Sequence, residues 1–194
     1  MEFTYAEILD ILSLKHGIKQ DKKVAFRGRL QHFQRLGFPA GANTGKGKGA
    51  TYSWRELFLI GLALECLEIG STPDRSVNEI VKFEEVFLAA VASVATGSAE
   101  EDGNDFKCFL IVELSNLMSL KEEENWSQIV KLLSHQEMME ILSTEGVDAH
   151  RSPYALIDLR QFLAALLDGV FQGLDGSQKQ IVNDLKNWAA VQTP

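Results

Sequence analysis

The chain has 194 residues, 45% of them hydrophobic, which is enough to bury a core in one large or two small domains. A net charge of −8 taken alone disfavours a nucleic-acid partner, but the average conceals an asymmetry. Residues 1–60 hold ten Lys/Arg against five Asp/Glu (+5), whereas residues 61–194 hold nine against twenty-two (−13), so the two parts suit different partners. Cys66 and Cys108 sit in separate apolar runs and read as reduced core residues, not as a disulfide framework. Met1 leads straight into an amphipathic pattern, so no signal peptide is expected. The most apolar run, LFLIGLALECLEIG, is broken by Glu65 and Glu68 and is too short to span a bilayer. A soluble cytoplasmic protein without a membrane partner is expected.

Thr4-Tyr5-Ala6-Glu7 is a capping box that opens a first helix, with Ile8, Leu9, Ile11, Leu12 and Leu14 on its apolar side and Gly17 beyond its end. A second helix is predicted from about Lys22 to Leu36. Phe26, Leu30, Phe33 and Leu36 gather on one side at 100° per residue, with Lys23, Arg27, Gln31, Gln34 and Arg35 opposite. Gly37 and Pro39 end it, and a short strand follows at 50–52. Ser53-Trp54-Arg55-Glu56 is a second capping box, opening a helix to Ile69 that is apolar nearly all round and therefore buried. Gly70 stops it, and Pro73 suits the first turn of a helix running to about Ala95.

The polar, acidic stretch at 96–105 reads as a linker between domains 1–95 and 106–194. Beyond it, FKCFLIVEL at 106–114 is a buried strand. Asn125 caps a helix through Leu133, and Ser134 caps another to about Ser143. YALIDL at 154–159 is a strand passing into the helix RQFLAALLDGV, and Ser177 caps a last helix. The expected fold is mostly α, with a small α/β or helix-rich region at the C-terminal end.

The loop GANTGKGKG at 41–49 raises the question of phosphate. It fails the P-loop pattern: three residues, not four, separate Gly41 from Gly45, and Gly47 follows Lys46 where a hydroxyl is needed. A solvated Gly/Lys loop is the plain alternative.

The order helix, turn, basic helix, Gly/Lys loop, short strand, apolar helix, helix resembles a MerR-like winged helix-turn-helix domain. The resemblance is carried by VAFRGRLQHFQRLGFP and GKGKGATYSWRELFLIGLALECLEIGSTPDRSVNEIV. Leu36-Gly37-Phe38-Pro39 matches the turn that closes the family's recognition helix, Tyr52 the aromatic that ends its wing, and Gly70 the end of the helix behind the wing. The resemblance covers under half of the chain. It implies double-stranded DNA as partner and the 41–49 loop as a wing tip.

On that reading Arg27 pairs with guanine O6 and N7, and Gln31 with adenine N6 and N7. Lys22 and Lys23 hold phosphate, Arg35 does either, and Lys46 and Lys48 reach phosphate from the wing. Arg29, on the edge of the apolar side, packs its stem, and His32 projects between the two sides. Two such base contacts give weak selectivity, so paired half-sites are expected, read by a homodimer or with a second regulatory protein held through residues 106–194.

An enzyme is not indicated. His16, His32, His135 and His150 stand at no metal-ligand spacing, so no metal, cofactor or catalytic residue is nominated. Asp148 with His150, and Glu122 to Glu124, read as solvated, and Met118, Met138 and Met139 as core. The rival function is an acidic protein–protein co-regulator or antagonist that keeps the fold without specific DNA readout.

Overall fold

The structure is a computed structural model, and it describes residues 1–42, 50–97, 107–113, 130–143, 154–174 and 176–192. These residues are mostly helical, with eight α-helices and two small antiparallel sheets. None of these helices is long and apolar enough to cross a membrane.

β1 (Phe3–Thr4) runs directly into α1 (Tyr5–Lys15), because Thr4 serves both elements. Its Oγ1 accepts the Glu7 N–H at 3.2 Å, and the Glu7 carboxylate accepts the Thr4 N–H at 2.6 Å. A 3-10 turn at Gln20–Lys22 leads into α2 (Lys23–Arg35). Gly37, at φ 74°, then takes the left-handed conformation that lets the Phe38 N–H donate back to the Phe33 carbonyl and close the helix. β2 (Thr51–Tyr52) pairs with β1, setting Tyr52 opposite Phe3. The second capping box opens α3 (Trp54–Glu68), which buries Trp54 and every residue from Leu57 to Leu64. It is the central helix of the core.

The single helix expected from Pro73 to about Ala95 is two: α4 (Pro73–Lys82) and α5 (Glu84–Thr96), broken at Phe83 with φ −120° and ψ 26°. Val77, Ile80, Phe87 and Val91 remain in helical phase across the break, so the periodicity does not reveal it. One straight helix over this span would be roughly 35 Å long. Bending at Phe83 lets both apolar stripes reach the core and lays the Phe83 ring against it.

β3 (Lys107–Glu113) is the middle strand of a sheet ordered β4-β3-β5, with β4 (Val130–Ser134) and β5 (Tyr154–Asp158) antiparallel to it. The helix expected through Leu133 is therefore corrected over 130–133 to a strand. A short apolar run such as VKLL fits either element. The open edge of β3 decides it by offering backbone partners, and Leu110 faces Leu132 across the ladder. The expected start of that helix at Asn125 lies outside the described residues.

Leu110, Val112 and Ile157 face the main core. Phe109, Ile111 and Leu133 form a small second cluster with Met138 of α6 (His135–Ser143). Met139 is exposed and does not join that core. Asp158 ends β5 and caps α7 (Leu159–Gly173), accepting the Arg160 N–H at 2.9 Å. Ser177 precedes α8 (Gln178–Gln192), and its Oγ accepts the Gln180 N–H at 3.3 Å.

The stretch at 96–105 does not separate two cores. α7 lies along α1 and α8 along α5. One cluster holds Ile11, Phe58, Phe162, Leu166 and Leu185 together. The Trp54 indole N–H donates to Asp184 Oδ1 at 2.7 Å across the two segments. Gly169 is the most closely approached of the described glycines: an added Cβ would stand 2.7 Å from the Ile11 carbonyl oxygen.

Candidate nucleic-acid interface

α2 is seated by Phe26, Leu30 and Phe33, all buried. Its C-terminal end is fixed by Phe38, whose ring meets Phe33 edge-on at 5.9 Å. One flank is tied down by polar contacts. Lys23 Nζ donates to Asp10 Oδ1 of α1 at 2.9 Å, and Gln34 Nε2 donates to the Tyr52 hydroxyl of β2 at 2.9 Å. The helix and the β1–β2 ribbon are thereby held as one unit. Burial pushes the Tyr52 hydroxyl above its ordinary pKa, so it stays protonated and offers Gln34 a neutral acceptor.

The predicted contact residues occupy different surroundings. Lys22 lies in the 3-10 turn before α2, exposed, with the neighbouring Asp21 carboxylate at 3.5 Å. Lys23 is half-buried in its pair with Asp10. Arg27, Gln31 and Arg35 are exposed and make no hydrogen bond or ion pair with any described residue. They recur every four residues and span roughly 12 Å along the helix. Lys46 and Lys48 lie outside the described residues. The segment bearing them is bounded by Ala42, buried, and Ala50, half-buried against the same core.

The outward direction of α2 differs from the one expected. At 100° per residue, the direction opposite Phe26, Leu30 and Phe33 falls within about 30° of Val24, Gly28 and Arg35, with Gln31 about 50° away. Lys23, Gln34 and Arg27 lie on the flank toward α1 and β2. Arg27 stands close enough to Tyr5 to draw its hydroxyl pKa down, although burial and Tyr52 raise it overall. Hydrogen-bonding capacity does not nominate Val24 or Gly28 as contacts, because neither has a side-chain donor or acceptor. The signal that marks them is an apolar residue and a glycine on the solvent side of a helix with no turn to make.

Arg29 lines the opposite flank, over a cleft of about 350 Å³ with His16, Phe26, Leu64 and Glu68. Burial, with Lys15 beside it, holds the His16 imidazole below its ordinary pKa despite the Glu65 and Glu68 carboxylates. His32 stands 3.6 Å from Asp74 of α4. Among the described residues no group of three His, Cys, Asp or Glu is placed to hold a metal ion. Met118, Glu122 to Glu124, Asp148 and His150 lie outside those residues.

No protein-family model matches the chain, and no curated protein matches it.

Proposed function

We propose that residues 1–95 form a MerR-like winged helix-turn-helix unit, and that the protein is a cytoplasmic transcriptional regulator binding specific sites in duplex DNA. α2 enters the major groove and residues 40–52 lie along the backbone. Two copies, or one copy with a second regulatory protein, read paired half-sites. The observation that carries this reading is the Arg27/Gln31/Arg35 set: three long donors on one helix, exposed and without a described partner. Their spacing matches roughly three to four base-pair steps of 3.4 Å. The β1–β2 ribbon tied to α2 through Gln34 supports it further.

The test is selection of bound sites from random duplex DNA by the full-length protein, followed by variants. Arg27→Ala is expected to weaken specific binding and relax preference at one base pair, by ~1–3 kcal/mol. Lys46→Ala with Lys48→Ala is expected to weaken binding to every sequence alike and to flatten the salt slope. If both variants bind as the parent does, the groove and wing assignments fail.

A second reading, the acidic co-regulator, draws on the carboxylates that meet Lys22, Lys23 and His32, and on the −13 of residues 61–194. It predicts no enriched motif and no DNA affinity that survives moderate salt.

A further inference from the structure

Two residues on the outermost line of α2 are unexplained by the fold. Gly28 sits mid-helix without a positive φ, and an added Cβ there would meet nothing within 4 Å. The fold would accept alanine, which is a better residue for a helix interior than glycine. Val24, one turn earlier, is 82% exposed, the most exposed of the large hydrophobic side chains among the described residues. A β-branched side chain in full solvent contributes neither packing nor helix propensity. Together they make an apolar notch: the Val24 methyls beside bare backbone at Gly28, with Gln31 and Arg35 further along the same line.

Resting on the DNA reading above, we infer that Val24 and Gly28 recognise the C5-methyl group of a thymine in the major groove. The thymine methyl is the one apolar feature that groove presents, and small apolar side chains read it by contact. Gly28 lets the helix axis approach the base edges more closely than any side chain at that position would permit. Val24 then reaches the methyl, while Gln31 and Arg35 reach the neighbouring base edges. Lys22, in the turn before the helix, and Lys23 at its start supply positive charge for the neighbouring phosphates. The selected half-site therefore contains a thymine whose methyl, not its hydrogen-bonding edge, is read.

The probe is the duplex selected by the full-length parent, with each thymine replaced in turn by deoxyuridine, which removes only the methyl. One position is expected to lose about fourfold in affinity, as the loss of one buried methyl group predicts. Val24→Ala should bind the parent duplex more weakly and no longer distinguish thymine from deoxyuridine there. Gly28→Ala should melt at a higher temperature than the parent yet bind the selected duplex at least fourfold more weakly. The opposite signs separate close approach from loss of folding.

If the parent enriches no motif, the DNA reading itself fails and takes this inference with it. If the parent enriches a motif but no deoxyuridine substitution matters, the notch is overturned while the DNA reading stands. The same conclusion follows if Gly28→Ala binds as tightly as the parent, or if it melts lower.

Discussion

Gly169→Ala tests whether the front and back of the chain are one folding unit. Gly169 of α7 faces α1, and a Cβ there would lie 2.7 Å from the Ile11 carbonyl oxygen and 3.3 Å from Ile11 Cγ2. The first distance is about 0.7 Å inside ordinary contact, and its partner is backbone, so no rotamer change relieves it. α1 and α7 must part, loosening Ile11, Leu166 and Val170, all of which are completely buried. Overpacking of this kind costs roughly 1–3 kcal/mol. Replacing a helical glycine recovers about 1 kcal/mol. A clash against backbone belongs at the upper end of that range, so the net loss is about 2 kcal/mol. For a chain of this size that lowers the melting temperature by roughly 4–8 °C. The assay is thermal unfolding followed by far-ultraviolet circular dichroism, with tryptophan fluorescence recorded in parallel because Trp54 and Trp188 pack on Phe58 at the junction. Both probes should shift together in a single transition. An unchanged or raised melting temperature would refute the close crossing of α1 and α7. Two separate transitions, only one of them shifted, would refute the shared core.

Three further outcomes follow from the buried polar groups. Lys15, whose side chain is 4% exposed, pairs with Glu65 and lies 5.0 Å from the centre of the Phe162 ring. Glu65→Ala strands that ammonium and should cost roughly 2–3 kcal/mol in urea unfolding, below the ~3–5 kcal/mol of a fully buried pair because Glu65 keeps some solvent. Lys15→Met combined with Glu65→Leu should recover most of the loss. Burial raises the Glu56 carboxyl, but the Ser53 hydroxyl and N–H and the Arg55 guanidinium outweigh it and hold the pKa below the ordinary 4.5. Its stabilisation is thus complete above the unfolded value and disappears as pH falls through the lower folded value. Urea midpoints measured from pH 6 down to pH 3 should fall less steeply for Glu56→Gln than for the parent. Burial, helped by Glu65 and Glu79, pushes the Cys66 thiol up to about 12. An aromatic disulfide reagent at pH 8 should therefore leave Cys66 unmodified in the folded protein and react with it in denaturant.

The two capping boxes and the apolar character of α3 were readable from sequence because each is decided within a few neighbouring residues. Thr4 with Glu7, and Ser53 with Glu56, make the bonds their spacing implies. β4 was not readable. Its identity as a strand depends on an edge of β3 that begins more than twenty residues earlier, and no local pattern carries that information. The continuity of the core past 96–105 was hidden for the same reason. A polar stretch in sequence marks a surface connection, which joins two domains and two halves of one domain equally well. The face of α2 was readable in kind but not in direction. The charge pattern points to Lys23 and Arg27, whereas Phe26, Leu30 and Phe33 turn the helix so that Val24 and Gly28 point outward and Lys23 turns to Asp10.

The pairing of Lys23 with Asp10 does not count against a phosphate contact. Both groups keep solvent, and exposed pairs of this kind contribute only ~0.2–1 kcal/mol, less than a phosphate offers through counterion release. The acidic excess of residues 61–194 acts differently. The described residues among them share a core with the basic helix, so on the proposed reading their charge accompanies α2 to a DNA surface. At physiological ionic strength it is screened beyond about 8 Å, but at low salt it repels the whole duplex. Non-specific binding, which rests almost entirely on phosphate attraction, is weakened most. The short-range contacts proposed for Gln31, Arg35 and Val24 would be weakened least. On the proposed reading, the negative net charge lowers affinity for DNA in general while leaving the difference between right and wrong sites intact, and so raises the specificity ratio that a lone basic helix would lack.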